Sequence, residues 1–197
     1  MPRKRSTDRT VPEGRDIVRR DAIKLSNHII PDSARCMMPD FEPPDAMYDL
    51  SWDKKRLNRD WTVDTLRECY WSPKIRREVC LHAIDKSLCI GVYERTSGEQ
   101  VAFARVVTDE ATFAWICDVI VSGAHRGKGL SKWMMKSILE HPDLQTLRRI
   151  MLGTRDAHGL YAQFGFEPGN SSVLMTHRPP DERWQAPDAI AEARLER

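Results

Sequence analysis

The feature that most constrains the fold is a predicted strand that runs into a glycine-rich, basic turn and then into a helix. The strand is Phe113–Val121 (FAWICDVIV), and the helix is predicted over Leu130–Glu140. Gly127 and Gly129 lie between them, and glycine allows both a sharp turn and close approach of a ligand to the backbone. The first turn of the helix adds free N–H groups and the positive end of its dipole. The segment therefore predicts an anion site between a buried strand and a helix.

Positive charge is concentrated at this turn. The 197 residues carry a formal net charge of only +2, but four basic residues fall in a stretch without acids, 122–138: Arg126, Lys128, Lys132 and Lys136. The near-zero total argues against nucleic acid or a membrane surface as partner. The spacing fits neither a P-loop nor a dinucleotide fingerprint, because Gly129 follows Lys128 and Lys132 stands where a third glycine is needed. Taken alone, the motif is equally consistent with a solvated basic helix face.

The surrounding chain predicts a mixed α/β fold. Helices and strands alternate, with a turn at 96–98 joining the first two strands. In chain order the predicted elements are helices Asp64–Tyr70 and Lys74–Asp85, strands Leu88–Glu94, Gln100–Val107 and Phe113–Val121, helix Leu130–Glu140, strand Arg149–Leu152, helix Ala157–Phe164 and strand Ser172–Thr176. This order, an antiparallel strand run followed by strand–helix–strand–helix–strand, predicts one sheet with helices on its faces.

Three parts are predicted along the chain. Residues 1–46 hold half of the twelve prolines and read as an irregular arm, with a short helix around Asp16–Ile30. Residues 47–178 form the domain, and 41% apolar residues over this length are enough for a buried core. Residues 179–197 are a tail in which Pro187–Arg197 is a candidate helix.

Cysteine usage and the lack of membrane-length apolar runs bear on the compartment. The five cysteines are odd in number and include no C-x-x-C pair, which disfavours a disulfide framework or a zinc site. No apolar stretch approaches the length of a membrane span, and the acids in the first sixteen residues argue against a transit peptide. We expect a cytoplasmic protein with reduced cysteines, no metal and no membrane partner.

A second motif, 154–166 (TRDAHGLYAQFGF), identifies the family when it is combined with the glycine turn. The two segments resemble the signatures of the GNAT superfamily of acetyl-CoA-dependent N-acetyltransferases, and in particular small stand-alone members of unassigned substrate. The first signature, Q/R-x-x-G-x-G/A, is met by Arg126 and Gly129, with Ser131 in the last position. The second, Asn-x-x-Ala-x-x-Leu-Tyr-x-x-x-Gly-Phe, begins here with Thr154 and is met by Ala157, Leu160, Tyr161, Gly165 and Phe166. The resemblance covers roughly 48–178.

The resemblance implies a GNAT-type, mostly antiparallel sheet with helices on both faces and a splayed strand pair that holds acetyl-CoA. It also implies direct attack of a primary amine, expected to belong to a small molecule, on the thioester. A backbone N–H at the end of the strand would polarise the thioester carbonyl. The residues expected to bind acetyl-CoA are Val119, Ile120, Val121, Arg126, Gly127, Lys128, Gly129, Leu130, Ser131, Lys132, Thr154 and Tyr161.

Two residues are candidates for proton transfer. The resemblance assigns Tyr161 as the acid that protonates the leaving thiolate, although an aromatic in a short helix is commonly a core residue. Asp118 interrupts an apolar strand, and a carboxylate in such surroundings becomes a stronger base. A buried structural carboxylate is the equal alternative. His158 could tune Tyr161 from the same helix face, and a water chain could instead end on Glu94, Asp109 or Glu110.

Aromatic residues in the early helices are candidates for the acceptor pocket. Trp61, Tyr70 and Trp71 lie there, and aromatic walls suit an aromatic or apolar amine, although plain core packing is the commoner role of indoles. Cys69 and Cys117 lack an evident base, which disfavours a nucleophilic cysteine. A protein or peptide acceptor, a coenzyme A-binding regulatory module without transfer activity, and a homodimer all stay open.

Overall fold

The computed structural model describes residues 43–169, 174–176 and 185. In this part of the chain we label five strands and four α-helices, with short 3-10 turns at Lys54–Arg56, Gly123–His125 and Pro142–Leu144. In chain order the elements are β1 (Tyr48–Ser51), α1 (Arg59–Arg67), α2 (Arg77–Asp85), β2 (Leu88–Glu94), β3 (Gln100–Thr108), β4 (Phe113–Val121), α3 (Leu130–Leu139), β5 (Arg149–Leu152) and α4 (His158–Ala162).

The strands form one mixed sheet in the order β1-β2-β3-β4-β5. Neighbours are antiparallel except β4 and β5, which run parallel. That last pair is short, because it extends only from Phe113 opposite Arg149 to Ile116 opposite Leu152. Beyond Ile116, β4 continues for five residues to Val121 while β5 has ended. The two strands therefore diverge and leave a cleft between them, as the predicted fold requires.

Helices cover both faces of the sheet, which confirms the predicted layers. α3 is amphipathic and buries its apolar stripe on one face, together with α4 residues Tyr161 and Leu160. On the other face α1 and α2 enclose a second core around Phe103 and Ile120. The side chains that α1 and α2 bury almost completely in this second core are Val63, Leu66, Cys80 and Ile84. The cleft between β4 and β5 thus opens between two separately packed layers.

Strand boundaries agree closely with the sequence prediction, and helix boundaries agree less well. β2, β4 and β5 match in full, and β3 is one residue longer than predicted. α1 was predicted at Asp64–Tyr70 but begins at Arg59. The reason is a cap: the Asn58 side chain accepts a hydrogen bond from Trp61 N at 3.0 Å, while Gln100 Oε1 accepts one from Asn58 N at 2.8 Å. Because Gln100 belongs to β3, this cap depends on tertiary contact.

Other differences are at element ends and in the terminal segments. α2 begins at Arg77 rather than at Lys74, α4 is shorter than predicted, and β1 was not predicted at all. Of the predicted strand Ser172–Thr176, only 174–176 are described, and they are not strand. The predicted helices at 16–30 and 187–197 lie outside the described residues. Among the described helices, none is both long and apolar enough to cross a membrane.

Candidate active site

A β-bulge in β4 shapes the floor of the cleft. Cys117 is opposite Arg105 and Ile120 is opposite Phe103, so that Asp118 and Val119 together face the single residue between those partners on β3. Asp118 has a φ of 56°, in the left-handed region that aspartate tolerates better than most residues. A bulge leaves its extra residue out of the ladder and re-aims the side chains beside it. Here it turns the Asp118 carboxylate toward the α1–α2 side of the sheet.

The Asp118 carboxylate is held by two donors. Arg105 Nε lies 2.7 Å from Oδ2, and Trp71 Nε1 donates to Oδ1 at 3.2 Å. Arg105 also donates from Nη1 to Ser87 Oγ at 3.1 Å. The ion pair is largely buried, with 16% of the Arg105 side chain and 11% of the Asp118 side chain exposed. Burial opposes the charge on Arg105, yet the neighbouring carboxylate keeps the pKa of this guanidinium above its ordinary value.

Two open clefts flank the end of β4. The first, of about 580 Å³, lies on the side where β5 ends and includes Trp115, Cys117, Gly153 and Thr154. The second, of about 550 Å³, lies on the side of α1 and the glycine turn and includes Glu68, Arg126 and Ser131. We call them the β5-side cleft and the turn-side cleft. They meet at residues that line both: Tyr70, Trp71, Val119, Asp156, Ala157 and Tyr161.

The glycine turn forms a cradle with an open interior. Gly127 and Gly129 have φ values of 76° and 79°, which favours glycine at both positions. A Cβ placed at either would have no neighbour within 4 Å. α3 follows with Gly129 as its N-cap, no side-chain cap and no acid in its first turn. Its first N–H groups are therefore available to an anion, in a hollow of about 240 Å³ whose lining includes Arg126, Ser131 and Lys132.

His125 lines the same hollow and was not predicted as a site residue. Its Nδ1 lies 2.9 Å from the hydroxyl of Tyr48, which is fully buried in β1. The two rings meet edge to face, with centroids 5.7 Å apart. This contact joins the glycine turn to β1, the far edge strand of the sheet. No sequence motif around either residue predicts it.

Tyr161 is positioned by a short loop and helix at the junction of the clefts. Thr154 Oγ1 accepts a hydrogen bond from Ala157 N at 3.0 Å, which fixes the turn that leads into α4. The Tyr161 side chain is buried, and its ring packs edge to face against Phe166. Burial raises the pKa of Tyr161, with smaller contributions from Tyr70 and Asp156. The phenol therefore keeps its proton through the neutral range.

Tyr70 bridges from the α1–α2 loop to the loop before α4. Its hydroxyl accepts a hydrogen bond from Arg155 N at 3.1 Å, and the Arg155 guanidinium lies 3.8 Å from the centre of its ring. Trp71 packs edge to face against it, with centroids 4.9 Å apart. Tyr70 and Trp71 thus cover the divergence of β4 and β5. Trp61, predicted with them, packs instead against the core beneath α1 and is not among the residues lining either cleft.

The remaining candidates for a water relay lie away from the junction. Asp109 accepts hydrogen bonds in the β3–β4 turn, at the opposite end of β4, and those from Thr112 chiefly hold the pKa of its carboxyl well below the usual range. Glu110 is in the same turn, and Glu94 accepts from Ser97 in the β2–β3 turn. His158, the residue expected to tune Tyr161, is exposed on α4 and lines a separate cavity that Tyr161 and Phe166 also line.

A model of the acetyltransferase (GNAT) family matches residues 45–166, which span every described strand and α-helix. The chain belongs to the GNAT family. A protein described as a GNAT acetyltransferase from Xanthomonas campestris pv. campestris has 43% sequence identity; its structure superposes with a TM-score of 0.64 over 73% of this chain and 96% of its own. A curated protein described as an acetyltransferase, from Gibberella zeae, is 28% identical over 111 residues, which are 48% of this chain and 63% of that protein's length.

A more distant solved structure supports the GNAT fold alone. It comes from a protein of Deinococcus radiodurans R1, is 18% identical, and has a TM-score of 0.56 over 75% of this chain and 99% of its own. In GNAT terms, the Arg126–Ser131 signature forms the cradle and the Ala157–Phe166 signature forms α4 with its flanks. Both signatures therefore border the clefts, one at the turn and one at the junction.

The cysteines that line the two clefts are poor nucleophiles. Burial raises the pKa of Cys69 to about 11 and that of Cys117 to about 12, so both thiols are protonated at neutral pH. Cys80 and Cys89 are buried in the second core. Within the described residues, His, Cys, Asp and Glu side chains form no group of three able to hold a metal ion.

Proposed function

We propose that the chain transfers the acetyl group of acetyl-CoA to the primary amine of a small molecule by direct attack on the thioester. The observation that carries this proposal is the meeting of the two clefts at Val119 and Tyr161. One cleft continues to an anion cradle and the other does not, so two different molecules could meet end to end at this point. Direct transfer needs such a junction, because both reactants must be bound together.

The cradle residues suit the phosphates of coenzyme A. Open N–H groups at the start of α3, together with Arg126 and Lys132, would bind the pyrophosphate. Ser131 lines both the hollow and the turn-side cleft, where it could donate a hydrogen bond to a phosphate oxygen. When bound, acetyl-CoA supplies an activated acyl group and a thiolate leaving group. Past the cradle, the strand edge from Cys117 to Val121, no longer paired with β5, offers backbone groups to amides of the pantetheine arm.

The bulge supports polarisation of the thioester carbonyl. Strand pairing with β5 ends at Ile116, and the bulge interrupts pairing with β3 at Asp118 and Val119. A backbone N–H in the 119–121 segment can therefore point into the cleft and stabilise the oxyanion as the amine attacks. Tyr161 then gives its proton to the departing sulfur, a role that suits a phenol kept neutral by burial.

The size and lining of the β5-side cleft favour a small acceptor. Its volume of about 580 Å³ is in the range of small-molecule sites. Tyr70 and Trp71 would cover the acceptor as they cover the cleft.

The four described cysteines are free thiols, which is consistent with a reducing compartment, and we place the reaction in the cytoplasm.

An acceptor screen tests this function. The full-length chain is mixed with acetyl-CoA, and thiol release is followed over alkylamines, aminoglycosides, polyamines, amino acids and peptides, while calorimetry measures coenzyme A binding separately. We expect release with at least one small amine and N-acetylated product by mass spectrometry. Coenzyme A binding without release for any amine would favour the regulatory module instead. Release with peptides alone would favour a protein acceptor.

A further inference from the structure

Asp156 is the carboxylate that lines both clefts without a cationic partner among the described residues. It lies in the loop between β5 and α4, beside Tyr161. Its side chain is exposed, and its Oδ1 is 3.5 Å from the Tyr70 hydroxyl, a long and weak contact. Asp118, in contrast, has one oxygen on Arg105 and the other on Trp71. Of these two acids, Asp156 has the oxygens available for a new donor.

The charge of Asp156 reaches the site of the reaction. It is the smallest of the three contributions that raise the pKa of Tyr161, after burial and Tyr70, and both side chains line both clefts. The other titratable side chains are Tyr70 and Tyr161, which line both clefts, Glu68, Cys69 and Arg126 on the turn-side cleft, and Cys117, Asp118 and Arg155 on the β5-side cleft. Arg155 faces Tyr70 rather than Asp156, since its guanidinium stacks on that ring. An ammonium group entering the junction therefore meets the Asp156 carboxylate, which has no ion pair within the part of the chain that the structure describes.

The rest of the β5-side cleft presents flat apolar surfaces. Tyr70, Trp71 and Trp115 contribute three aromatic side chains to its lining. Gly153 lies against Trp115, where a Cβ would come within 3.5 Å of the indole, so glycine leaves this part of the cleft wide. Such walls suit a planar apolar body, and the exposed rings can also face a cation.

We infer that the acceptor is an arylalkyl primary amine whose ammonium group binds Asp156, and that Asp156 takes its first proton. This inference rests on the proposed function. The proton leaves nitrogen for the Asp156 carboxylate and passes to solvent, and the free amine forms the C–N bond as the C–S bond breaks. The second nitrogen proton replaces the one that Tyr161 gives to sulfur. The balance is one amide, one thiol and one released proton.

The test uses phenethylamine as the acceptor and compares Asp156→Asn with Asp118→Asn over pH 6 to 10. We expect Asp156→Asn to lower kcat/KM about 100-fold at pH 7. The ratio of the wild-type kcat/KM to that of Asp156→Asn should become at least about tenfold smaller by pH 9, because the fraction of free amine rises as the pH approaches the amine pKa of about 10. In Asp118→Asn any deficit should be the same at every pH. Calorimetry should give both variants an acetyl-CoA Kd within about threefold of the wild type, which reports a folded site.

Several results would overturn the inference. If the loss of kcat/KM in Asp156→Asn is the same at every pH, Asp156 has only a structural role. If only Asp118→Asn shows a loss of kcat/KM that depends on pH, Asp118 rather than Asp156 accepts the proton of the amine. Acetylation of other amines in the screen but not of phenethylamine would remove the arylalkyl class while leaving the proposed function standing. No acetylation of any amine would remove both.

Discussion

Arg105 and Asp118 form a largely buried ion pair across β3 and β4, with Nε 2.7 Å from Oδ2. The pair exists because the β4 bulge turns Asp118 onto the Arg105 face of the sheet. It fixes the floor of the cleft, since Trp71 donates to the second Asp118 oxygen and Ser87 accepts from Arg105.

Breaking this pair should destabilise the fold. Asparagine tolerates the left-handed backbone at 118, so Asp118→Asn removes the charge with little added strain. We expect a loss of about 3 kcal/mol in the free energy of unfolding, because Arg105 would be left buried without a counter-charge. Urea denaturation measures it. The double variant Arg105→Met/Asp118→Asn should lose less than the sum of the single variants by about 1 kcal/mol or more, and strict additivity would contradict the coupling.

Removing the Tyr161 hydroxyl should slow turnover and leave binding intact. We expect Tyr161→Phe to lower kcat about 100-fold while the Kd of acetyl-CoA changes little, because the proposed role of the phenol is to protonate the leaving thiolate. Burial raises the pKa of this phenol, so its acidic form persists above the ordinary tyrosine pKa of about 10. The wild-type kcat profile should accordingly show no fall from Tyr161 below about pH 10. Unchanged turnover in Tyr161→Phe would remove the residue from the mechanism.

Shortening a basic side chain at the cradle should weaken phosphate binding selectively. Lys132 lines the hollow at the start of α3, and we expect Lys132→Ala to raise the Kd of coenzyme A about tenfold. Pantetheine lacks the phosphates, so its Kd should be unaffected. Lys86→Ala, at the end of α2, is the control. Equal losses for both ligands would mean that Lys132 acts on the fold rather than on phosphate.

The bridge made by Tyr70 should matter for catalysis through the loop it holds. Tyr70→Phe loses the hydrogen bond to Arg155 N but keeps the stacked ring, at a cost of about 1 kcal/mol. Tyr70→Ala loses both contacts. We expect kcat to fall in the order wild type, Phe, Ala, and hydrogen exchange at the Arg155 amide to quicken in the same order. Faster exchange without any loss of kcat would separate the bridge from catalysis.

The protonated thiols predict that no acetyl-cysteine intermediate forms. Burial raises the pKa of Cys69 to about 11 and of Cys117 to about 12, so the thiolate is rare at pH 7. Intact-mass spectrometry of the chain mixed with acetyl-CoA, without acceptor, should show no added acetyl group. An acetyl adduct on either cysteine would contradict direct transfer.

Local signals were enough for β2 to β5 and for the cradle, but not for β1. β2 and β4 are short runs rich in β-branched, aromatic and small residues, and β5 is a short apolar run after Arg149; the bounds of all three were predicted in full. Gly127 and Gly129 were predicted from the need for a sharp turn, and both have positive φ. The start of α1 was mispredicted, because Asn58 is ordered as a cap by Gln100, forty-two residues away.

The parts of the site that were missed are those made by distant contacts. Asp156 was read only as one letter of a motif, and Arg105 as one position of a strand. Arg105 is distinguished by the β4 bulge, which gives it Asp118 as a partner. Asp156 is distinguished by its loop, which brings it to the same clefts as Tyr161 with no cationic partner among the described residues. A bulge shifts side chains from one face to the other, and its location depends on cross-strand register rather than on composition.

By itself the sequence determined the alternation of elements, the GNAT signatures and the concentration of positive charge at the turn, because these depend on neighbours along the chain. The tertiary structure decided where β5 stops pairing with β4, which acid is neutralised by an arginine and which acid lines both clefts. Those outcomes depend on residues far apart in sequence, Arg105 with Asp118 and Tyr70 with Arg155, whose charges and hydrogen bonds have no energetic meaning until the fold brings them within a few ångströms.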